Sequence, residues 1–365
     1  MSRQTEPDLR WNVDFSLALF NRTGKYFIGR DLIDRNADVI AAVAYWRLKS
    51  ARGLDGLAAR IIGKLEAIEH DVRTRFGETR LRAPHGKRPW LHLDPLTVLH
   101  RELSPDDIVL CHDLGPVTHP QLFVGGLGEA YDLAYRLIAE AEPHVVFVSK
   151  ASRDVMTELY GPRRKDSVIY PPIRTGVMDG ARSAPAGVST PFLLTVGSIG
   201  TRKNQAAAIR AFERSGLAAR GYGFVLCGHR EPGSEEAFEL AGRTEGVTVL
   251  SYVSDESLRW LYANATGFVL PSLLEGFGMP VAEAIAAGLV PVVSEASVLE
   301  EVAGKGCVAV DPDSVDSICA GLLEVVGMSD AQRAERLAVM QAHGKAFSEE
   351  AFHRNWRKVL TAPPG

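Results

Sequence analysis

The sequence has few of the residues that would indicate a disulfide scaffold, a zinc site or a membrane span. Only four cysteines occur in 365 residues, and they form no C-x-x-C pair and no Cys/His cluster at zinc spacing. No apolar run approaches the roughly 18–20 residues of a membrane-spanning helix, and Met1 to Arg10 is too polar for a signal peptide. We therefore expect a soluble intracellular protein whose cysteines are small core residues.

Excess positive charge is also lacking. The net charge is −4, so no general attraction to nucleic acid is expected. The segment Arg47–Arg88 is an exception, because it carries eleven Lys/Arg against five Asp/Glu. This segment is either a solvated helical face or a surface that attracts anionic lipid or a phosphate-bearing acceptor. We expect a cytoplasmic protein, with peripheral contact at the inner membrane face as the second reading of this segment.

The second half of the chain alternates short apolar runs with amphipathic segments of helical length. Continuous apolar strands separated by helices are typical of a parallel sheet that helices cover on both faces. The predicted strands are Phe192–Val196, Phe224–Cys227, Val247–Ser251, Gly267–Leu270, Val290–Val293 and Val308–Val310. The predicted helices are Asn204–Ser215, Ser234–Gly242, Asp255–Asn264, Met279–Ala287 and Ser314–Val326.

The first half repeats this pattern less clearly. Strands are predicted at Val13–Leu19, Ile108–Cys111, Val145–Ser149 and Ser167–Tyr170, and a helix at Ser152–Leu159. A long helical region is predicted from about Asp31 to Arg75. The fold class is therefore α/β, with two Rossmann-like, doubly wound parallel sheets.

The length predicts about two domains, at about 150 residues each. We expect an N-terminal Rossmann-like domain at 1–178 and a Pro/Gly/Ser/Ala-rich linker at 179–191. A second Rossmann-like domain follows at 192–345, and a helix at 346–365 crosses back to the first domain. Ligands of open α/β sheets bind beyond the carboxyl ends of the strands, so we expect both domains to face one cleft.

The most informative segment follows the predicted strand that ends at Leu270. It contains Glu275, then Gly276, Phe277 and Gly278, then a helix that begins at Met279 and carries Glu283. The glycines allow close approach of the backbone to a ligand, and the free N–H groups at Met279 and beyond form an anion site. A carboxylate can accept hydrogen bonds from two vicinal hydroxyls, as in a sugar or a ribose. The alternative is an ordinary turn with acidic residues near a helix N-terminus.

This segment closely resembles the E-x7-E signature of the family 4 retaining glycosyltransferases, which have the two-domain GT-B fold. The resemblance extends from about Thr195 to Val326 and includes Val196–Asn204, Ser251–Asp255 and Ser297–Gly304. It implies that Glu283 holds the ribose hydroxyls of the donor. It also implies that Glu275 and the backbone of Gly276–Gly278 hold the transferred sugar and the distal phosphate.

The resemblance also assigns a phosphate-binding loop after the strand that ends at Val196. Lys203 matches the family lysine that contacts the donor diphosphate. The family often has arginine directly after the glycine, where this chain has Ser198. The second cation is therefore either Arg202 or a residue of the other domain. The base-binding loops are expected at Val225–His229 and Tyr252–Asp255.

Two segments of the first half resemble acceptor-side motifs of the same family. His112 and Asp113 follow an apolar strand, and the resemblance implies that His112 contacts the donor sugar. His119 lies nearby but on no motif position. Gly24, with Thr23 and Lys25 beside it, is the candidate for the family's glycine loop near the diphosphate. A P-loop is excluded, because Leu19 and Tyr26 occupy positions that need glycine and Ser/Thr.

The resemblance implies a retaining hexosyltransferase that uses a nucleotide diphosphate sugar. Mannose is the preferred sugar, because His-Asp turns of this form are similar to those of bacterial mannosyl and O-antigen transferases. The acceptor is a saccharide or a lipid-linked saccharide of cell-surface polysaccharide or glycoconjugate synthesis. We expect no cofactor and no metal, since Asp311-Pro-Asp313 is better explained as a turn before a helix. The alternatives are a GT-B sugar-nucleotide 2-epimerase and a non-catalytic nucleotide-sugar-binding protein.

Overall fold

The computed structural model describes residues 11–19, 24–46, 48–50, 82–123, 125–173, 179–231 and 233–362. The chain divides into two compact units. Unit 1 comprises Met1–Pro171 together with Glu350–Gly365, and unit 2 comprises Pro172–Glu349.

Unit 1 is built on a seven-stranded sheet in the order β3-β2-β1-β4-β5-β6-β7. All neighbouring strands are parallel except β2 and β3, which are antiparallel. The strands are β1 (Trp11–Asp14), β2 (Ile40–Tyr45), β3 (Leu48–Ser50), β4 (Trp90–His92), β5 (Ile108–Cys111), β6 (His144–Phe147) and β7 (Asp166–Val168). The strands β1, β4, β5 and β6 are buried along their whole length, as expected for a sheet covered on both faces.

The described residues of unit 1 form five α-helices. They are α1 (Gly24–Arg35), α2 (Gly115–Thr118), α3 (Leu127–Ala141), α4 (Lys150–Tyr160) and the last helix, α12 (Glu349–Thr361). The chain reaches α12 only after unit 2, and α12 returns to β1: Trp11 Nε1 donates to the carbonyl oxygen of Leu360 at 2.9 Å. Arg357 of the same helix also forms an exposed ion pair with Asp38, which precedes β2.

Unit 2 contains a six-stranded, fully parallel sheet in the order β10-β9-β8-β11-β12-β13. The strands are β8 (Phe192–Val196), β9 (Gly223–Cys227), β10 (Val247–Leu250), β11 (Gly267–Leu270), β12 (Pro291–Ser294) and β13 (Val308–Val310). The chain runs from β8 outward to β10 and then returns to the other side of β8 at β11. This reversal is the topological switch point at which doubly wound sheets bind ligands.

The helices of unit 2 connect and cover these strands. They are α5 (Gln205–Ser215), α6 (Glu235–Arg243), α7 (Asp255–Asn264), α8 (Met279–Ala286), α9 (Val298–Ala303), α10 (Val315–Gly327) and α11 (Asp330–Gly344). The predicted α/β class with two parallel, doubly wound sheets is therefore confirmed. Residues 179–191, predicted as a linker, lie in unit 2, where Arg259 of α7 donates to the carbonyl oxygen of Ala181 at 2.9 Å.

The long helix predicted from Asp31 to Arg75 is wrong. The helix ends at Arg35, and Ile40–Tyr45 forms β2, parallel to β1. An apolar, alanine-rich run fits a buried strand and a buried helix equally well by periodicity, and the pairing with β1 decides for the strand. Residues 47 and 51–75 of this prediction lie outside the described residues, and so does most of the basic segment Arg47–Arg88.

The strand predicted at Val13–Leu19 is correct only at its start. It ends at Asp14, whose buried carboxylate accepts hydrogen bonds from the backbone N–H of Ser16 at 3.1 Å and from its hydroxyl. This local bonding turns the chain into a short 3-10 helix at Ser16–Leu19. Within the described residues, no helix combines the length and apolarity needed to cross a membrane.

Candidate functional site

The loops after β8 and β11 form the core of the candidate site, because these two strands flank the switch point of unit 2. The β8 loop leads into a 3-10 turn at Thr201–Lys203 and then into α5. The β11 loop contains Glu275 and leads into α8. The two loops are joined by a backbone hydrogen bond from the N–H of Leu273 to the carbonyl oxygen of Arg202, at 2.9 Å.

A buried cluster of charges connects these loops. The ammonium of Lys203 binds Oε1 of Glu275, and Nη1 of Arg202 lies 3.4 Å from Oε2 of the same carboxylate. The side chains of Lys203 and Glu275 are each only 8% exposed, and that of Arg202 is 27% exposed. Three predicted site residues thus meet, and their formal charges sum to +1. Such a cluster can receive an anion.

The cluster keeps Glu275 ionised. Burial raises the pKa of this carboxyl, but the nearby charges of Lys203 and then Arg202 outweigh burial and leave the pKa below its ordinary value. The hydroxyl of Ser272 contributes by donating to Oε1 at 3.1 Å. Glu275 is therefore a hydrogen-bond acceptor at neutral pH.

The N-terminus of α8 requires its glycine. Gly278 has a φ of +93°, and a Cβ atom there would lie 2.3 Å from Cδ2 of Leu299. Helix α8 begins at the next residue, Met279, with Pro280 in its first turn. The predicted glycine loop and helix start are thus present after β11, with Phe277 buried beneath them and Gly276 partly exposed.

Glu283 lies on α8 and is 7% exposed. The hydroxyl of Tyr262, on α7, donates to its Oε2 at 3.1 Å. This bond orients the carboxylate, since Tyr262 is itself fully buried. Tyr262 was missed from the sequence, because a tyrosine on an amphipathic helix gives no signal that distinguishes a site residue from a core residue.

The loop after β8 packs directly on the end of β9. A Cβ atom on Gly228 would lie 1.8 Å from the carbonyl oxygen of Gly197, so only glycine fits there. The side chain of Gln205 then closes the loop: its amide donates to the carbonyl oxygen of Ser198 at 2.9 Å and accepts from the N–H of Gly200 at 3.2 Å. Ser198, the departure from the family pattern, is therefore held through its backbone.

The expected base-binding loops follow β9, which pairs with β8, and β10, which pairs with β9 at the edge of the sheet. Tyr252 lies directly after β10 and is 92% exposed. His229 lies after β9, with its Nε2 3.7 Å from a carboxylate oxygen of Glu231. An exposed aromatic ring at a strand end offers a stacking surface for a nucleobase. No contact joins Tyr252 to the charged cluster in the described residues.

In unit 1, His112 follows β5 and is 4% exposed. Its Nε2 lies 3.0 Å from the carbonyl oxygen of Leu93, so Nε2 carries the proton and Nδ1 is the acceptor nitrogen. Burial, followed by the charge of Lys25, lowers the pKa of His112 to about 4. The imidazole is therefore neutral at physiological pH. The hydroxyl of Ser152 also donates to the carbonyl oxygen of His112, at 3.2 Å.

Lys25 lies near His112 in a second charged cluster, of which sequence reasoning named Lys25 and Asp113 but missed Asp94. Its ammonium is 3.3 Å from Asp94 and 3.9 Å from Asp113. Two carboxylates therefore neutralise the cation expected beside the glycine loop. Gly24 begins α1, and a Cβ atom added there would meet no atom of the described residues within 4 Å. Asn21–Thr23 lie outside the described residues.

The other residues weighed in the sequence have local structural roles. Asp311 accepts from the N–H of Asp313 at 2.9 Å, as expected of a turn, and Ser314 caps α10. His119 bonds to its neighbour Thr118. All four cysteines are free thiols, of which Cys111 and Cys227 are buried. Burial raises the pKa of Cys227 to about 11, so this thiol is unreactive at neutral pH.

Comparison with known proteins identifies the second half of the chain. Residues 182–338 match the family of glycosyl transferases group 1. The chain carries a glycosyl transferases group 1 domain. This domain contains the charged cluster, Glu283 and the loops after β8 to β11, and the resemblance to family 4 glycosyltransferases is confirmed.

Two curated relatives share this resemblance. The O-antigen chain mannosyltransferase B of Escherichia coli is 36% identical over 163 residues, which cover 44% of this chain and 42% of that protein. The O-antigen chain mannosyltransferase RfbU of Salmonella typhimurium is 25% identical over 234 residues, 63% of each protein. The chain thus spans less than two thirds of the length of these relatives.

A solved structure extends the likeness beyond the group 1 domain. Anabaena HepE, in complex with UDP and glucose, has a TM-score of 0.68 and 15% identity, covering 96% of this chain and 99% of that one. At this identity the comparison concerns the fold, and it confirms the predicted GT-B class.

Proposed function

We propose that the protein is a retaining glycosyltransferase that moves a hexose, with mannose preferred, from a nucleotide diphosphate sugar to a saccharide or lipid-linked acceptor. The observation that carries this proposal is the buried cluster of Lys203, Arg202 and Glu275 at the switch point of the group 1 domain. It lies at the strand ends where doubly wound folds bind nucleotides.

The two cations fit the chemistry of the leaving group. When a nucleoside diphosphate departs, negative charge develops on its phosphate oxygens, and preorganised positive charge stabilises that transition state. Lys203 is the proposed contact to the distal phosphate, and Arg202 supplies the second positive charge in place of the family arginine at Ser198. The N–H groups at the start of α8 add a further anion-binding surface. We propose that these groups act without a metal ion.

The two glutamates fit the neutral parts of the donor. Glu283, held by Tyr262, is proposed to accept hydrogen bonds from the ribose diol. Glu275, kept ionised by Lys203, is proposed to bind hydroxyls of the transferred sugar, with His112 of unit 1 as a further sugar contact. No carboxylate of the site has an evident role as a covalent nucleophile. We therefore propose that the acceptor attacks from the leaving-group side and that a phosphate oxygen takes its proton.

The relatives support the choice of sugar and the class of product. The two curated relatives described above are named as O-antigen chain mannosyltransferases, which supports mannose and a role in surface polysaccharide synthesis. We also propose that residues 47–88 bind an anionic membrane surface, where a lipid-linked acceptor would be located.

The proposal is tested by incubating the protein with UDP-, GDP- and TDP-sugars, with and without a panel of saccharide acceptors. We expect acceptor-stimulated release of one nucleoside diphosphate, unaffected by EDTA, and a product whose anomeric configuration by NMR equals that of the donor. Lys203→Ala is expected to lower kcat/KM at least tenfold, about 1.4 kcal/mol. The exposed Glu245→Gln is the matched control and retains activity.

Three results would contradict the proposal. Conversion of the donor sugar without any acceptor indicates an epimerase. Tight nucleotide binding with no turnover across the panel indicates a non-catalytic binding protein. A Lys203→Ala variant whose kcat/KM stays within threefold of the wild-type value shows that the charged cluster does not have the proposed role.

A further inference from the structure

Asn204 links three strand-end loops of the group 1 domain. It directly follows Lys203 and precedes α5. Its side-chain amide nitrogen donates to the carbonyl oxygen of Pro271 at 3.1 Å, in the β11 loop, and to that of Pro312 at 2.8 Å, in the β13 loop. Both amide hydrogens are thereby used, each on a carbonyl of a different loop.

The backbone of Asn204 restricts which residue can make these bonds. Its φ is +58° and its ψ is +30°, in the left-handed region, where asparagine and glycine are tolerated best. Glycine would keep this conformation but has no side chain. Aspartate would keep the shape but would place a carboxylate against two carbonyl oxygens. Asparagine alone combines the conformation with two short donors.

This arrangement fixes the separation of the two loops that meet in the charged cluster. Lys203 belongs to the β8 loop and Glu275 to the β11 loop, and Asn204 bridges the same two loops one residue away. The turn at Asp311–Asp313 supplies the third anchor, which is held by its own bond from the N–H of Asp311 to the hydroxyl of Ser317, at 3.0 Å. Helix α10, which follows this turn, packs against α5.

We propose that Asn204 is a positioning residue for the distal phosphate of the nucleotide donor. It acts through Lys203, and itself touches no substrate. This proposal rests on the proposed function, because it presumes a nucleoside diphosphate at Lys203. Without the two bonds of Asn204, the β8 and β11 loops keep the bond between Leu273 and Arg202 but lose the anchor next to Lys203, so the ammonium is held less firmly beside Glu275.

The test compares nucleoside diphosphates with the corresponding monophosphates, since only the former carry a distal phosphate. Dissociation constants are measured by calorimetry for the full chain with UDP, GDP, TDP and their monophosphates. The variants are Asn204→Asp and Asn204→Gly, the latter keeping the backbone conformation. Asn264→Ala is the control, because this exposed asparagine also donates its amide to a carbonyl, that of Trp260 at 2.8 Å.

For both Asn204 variants, we expect the dissociation constant of the preferred diphosphate to rise at least tenfold and that of its monophosphate less than threefold. In a Lys203→Ala background, Asn204→Gly should change diphosphate binding less than twofold, because the residue through which it acts is gone. The Asn264→Ala control should match the wild type for both ligands.

Several outcomes would overturn the proposal. The first is an equal loss of affinity for the monophosphate and the diphosphate. The second is an Asn204→Gly variant that binds the diphosphate as the wild type does. The third is full additivity of Asn204→Gly and Lys203→Ala in the free energy of diphosphate binding. Circular dichroism and thermal unfolding confirm that each variant is folded. Failure of the proposed function looks different, because the wild type would then show no preference for any diphosphate over its monophosphate.

Discussion

The ion pair of Lys203 and Glu275 is costly to bury, because both charges leave water. Such pairs often contribute little net stability, whereas removing one partner leaves an uncompensated charge and is strongly destabilising. Two buried, oppositely charged side chains at a switch point are therefore better explained by function than by stability. In the proposed complex with a diphosphate, Lys203 can contact both the phosphate and Glu275, since an ammonium has three donors.

This arrangement predicts the protonation of Glu275 in a Lys203→Met variant. Without the ammonium, burial dominates, so the pKa of Glu275 should rise. Donor binding by the variant should then weaken further as the pH falls from 7.5 to 5.5, whereas binding by the wild type stays constant. Calorimetry across this pH range checks the prediction. Parallel pH profiles in the two proteins would contradict it.

The elements of the second half could be predicted because each strand is a continuous apolar run bounded by turn residues. Four elements have the predicted bounds, namely Phe192–Val196, Asp255–Asn264, Gly267–Leu270 and Val308–Val310, and the other predicted strands and helices differ by one residue at one or both ends. The first half was harder to predict. Its β2 run also fits a helix, and β4 consists of Trp90, Leu91 and a buried histidine, His92, which gives no apolar pattern.

At the level of elements, Gly278 controls how α8 begins. Gly278→Ala should destabilise the protein more than Gly288→Ala, the matched change just after the same helix. Both positions have positive φ, +93° and +86°. Each variant therefore places an alanine in the left-handed region, which destabilises the protein by about 1–2 kcal/mol. Only at Gly278 does the new Cβ also collide with Leu299, which is fully buried.

Urea denaturation measures this difference, and nucleotide binding should also weaken in Gly278→Ala alone. Leu299→Ala removes the side chain with which the new Cβ collides. This substitution should therefore lower the free energy of unfolding less in the Gly278→Ala background than in the wild type. Equal destabilisation by the two glycine variants would show that α8 does not depend on this close packing.

At the scale of the whole molecule, both units contain a sheet whose strand order reverses next to its first strand. This organisation is visible in the sequence as alternating strands and helices. The polar contacts that complete the candidate site and the fold were not predictable, because they join distant residues. Asn204 meets Pro312 across 108 positions, and Trp11 meets Leu360 across 349. Hydrophobic patterns do not encode such pairs of polar groups.

The whole protein should lose stability as the pH falls from about 6.5 to 4. Burial lowers the pKa of His92 to about 3, and of His112 and His144 to about 4. Between these values and the ordinary pKa of 6.5 the unfolded chain binds protons that the folded chain does not. The free energy of unfolding therefore rises with pH in this window, by up to about 1.4 kcal/mol per pH unit for each histidine.

Thermal unfolding between pH 4 and 8 measures this effect, and His144→Gln should reduce the slope without touching the group 1 domain. His85 acts in the opposite sense. Burial lowers its pKa, but the effect of Asp107 is larger, so the pKa of His85 is raised above its ordinary value. A melting temperature independent of pH between 4.5 and 6.5 would contradict the neutral, buried state of the three histidines.

The most direct test of the central claim is a crystal structure of the full chain with a nucleotide diphosphate sugar. The account predicts the distal phosphate within hydrogen-bonding distance of the ammonium of Lys203, and the ribose diol on the carboxylate of Glu283. A nucleotide bound elsewhere, or one that leaves Lys203 and Glu283 without contact to it, would contradict the claim.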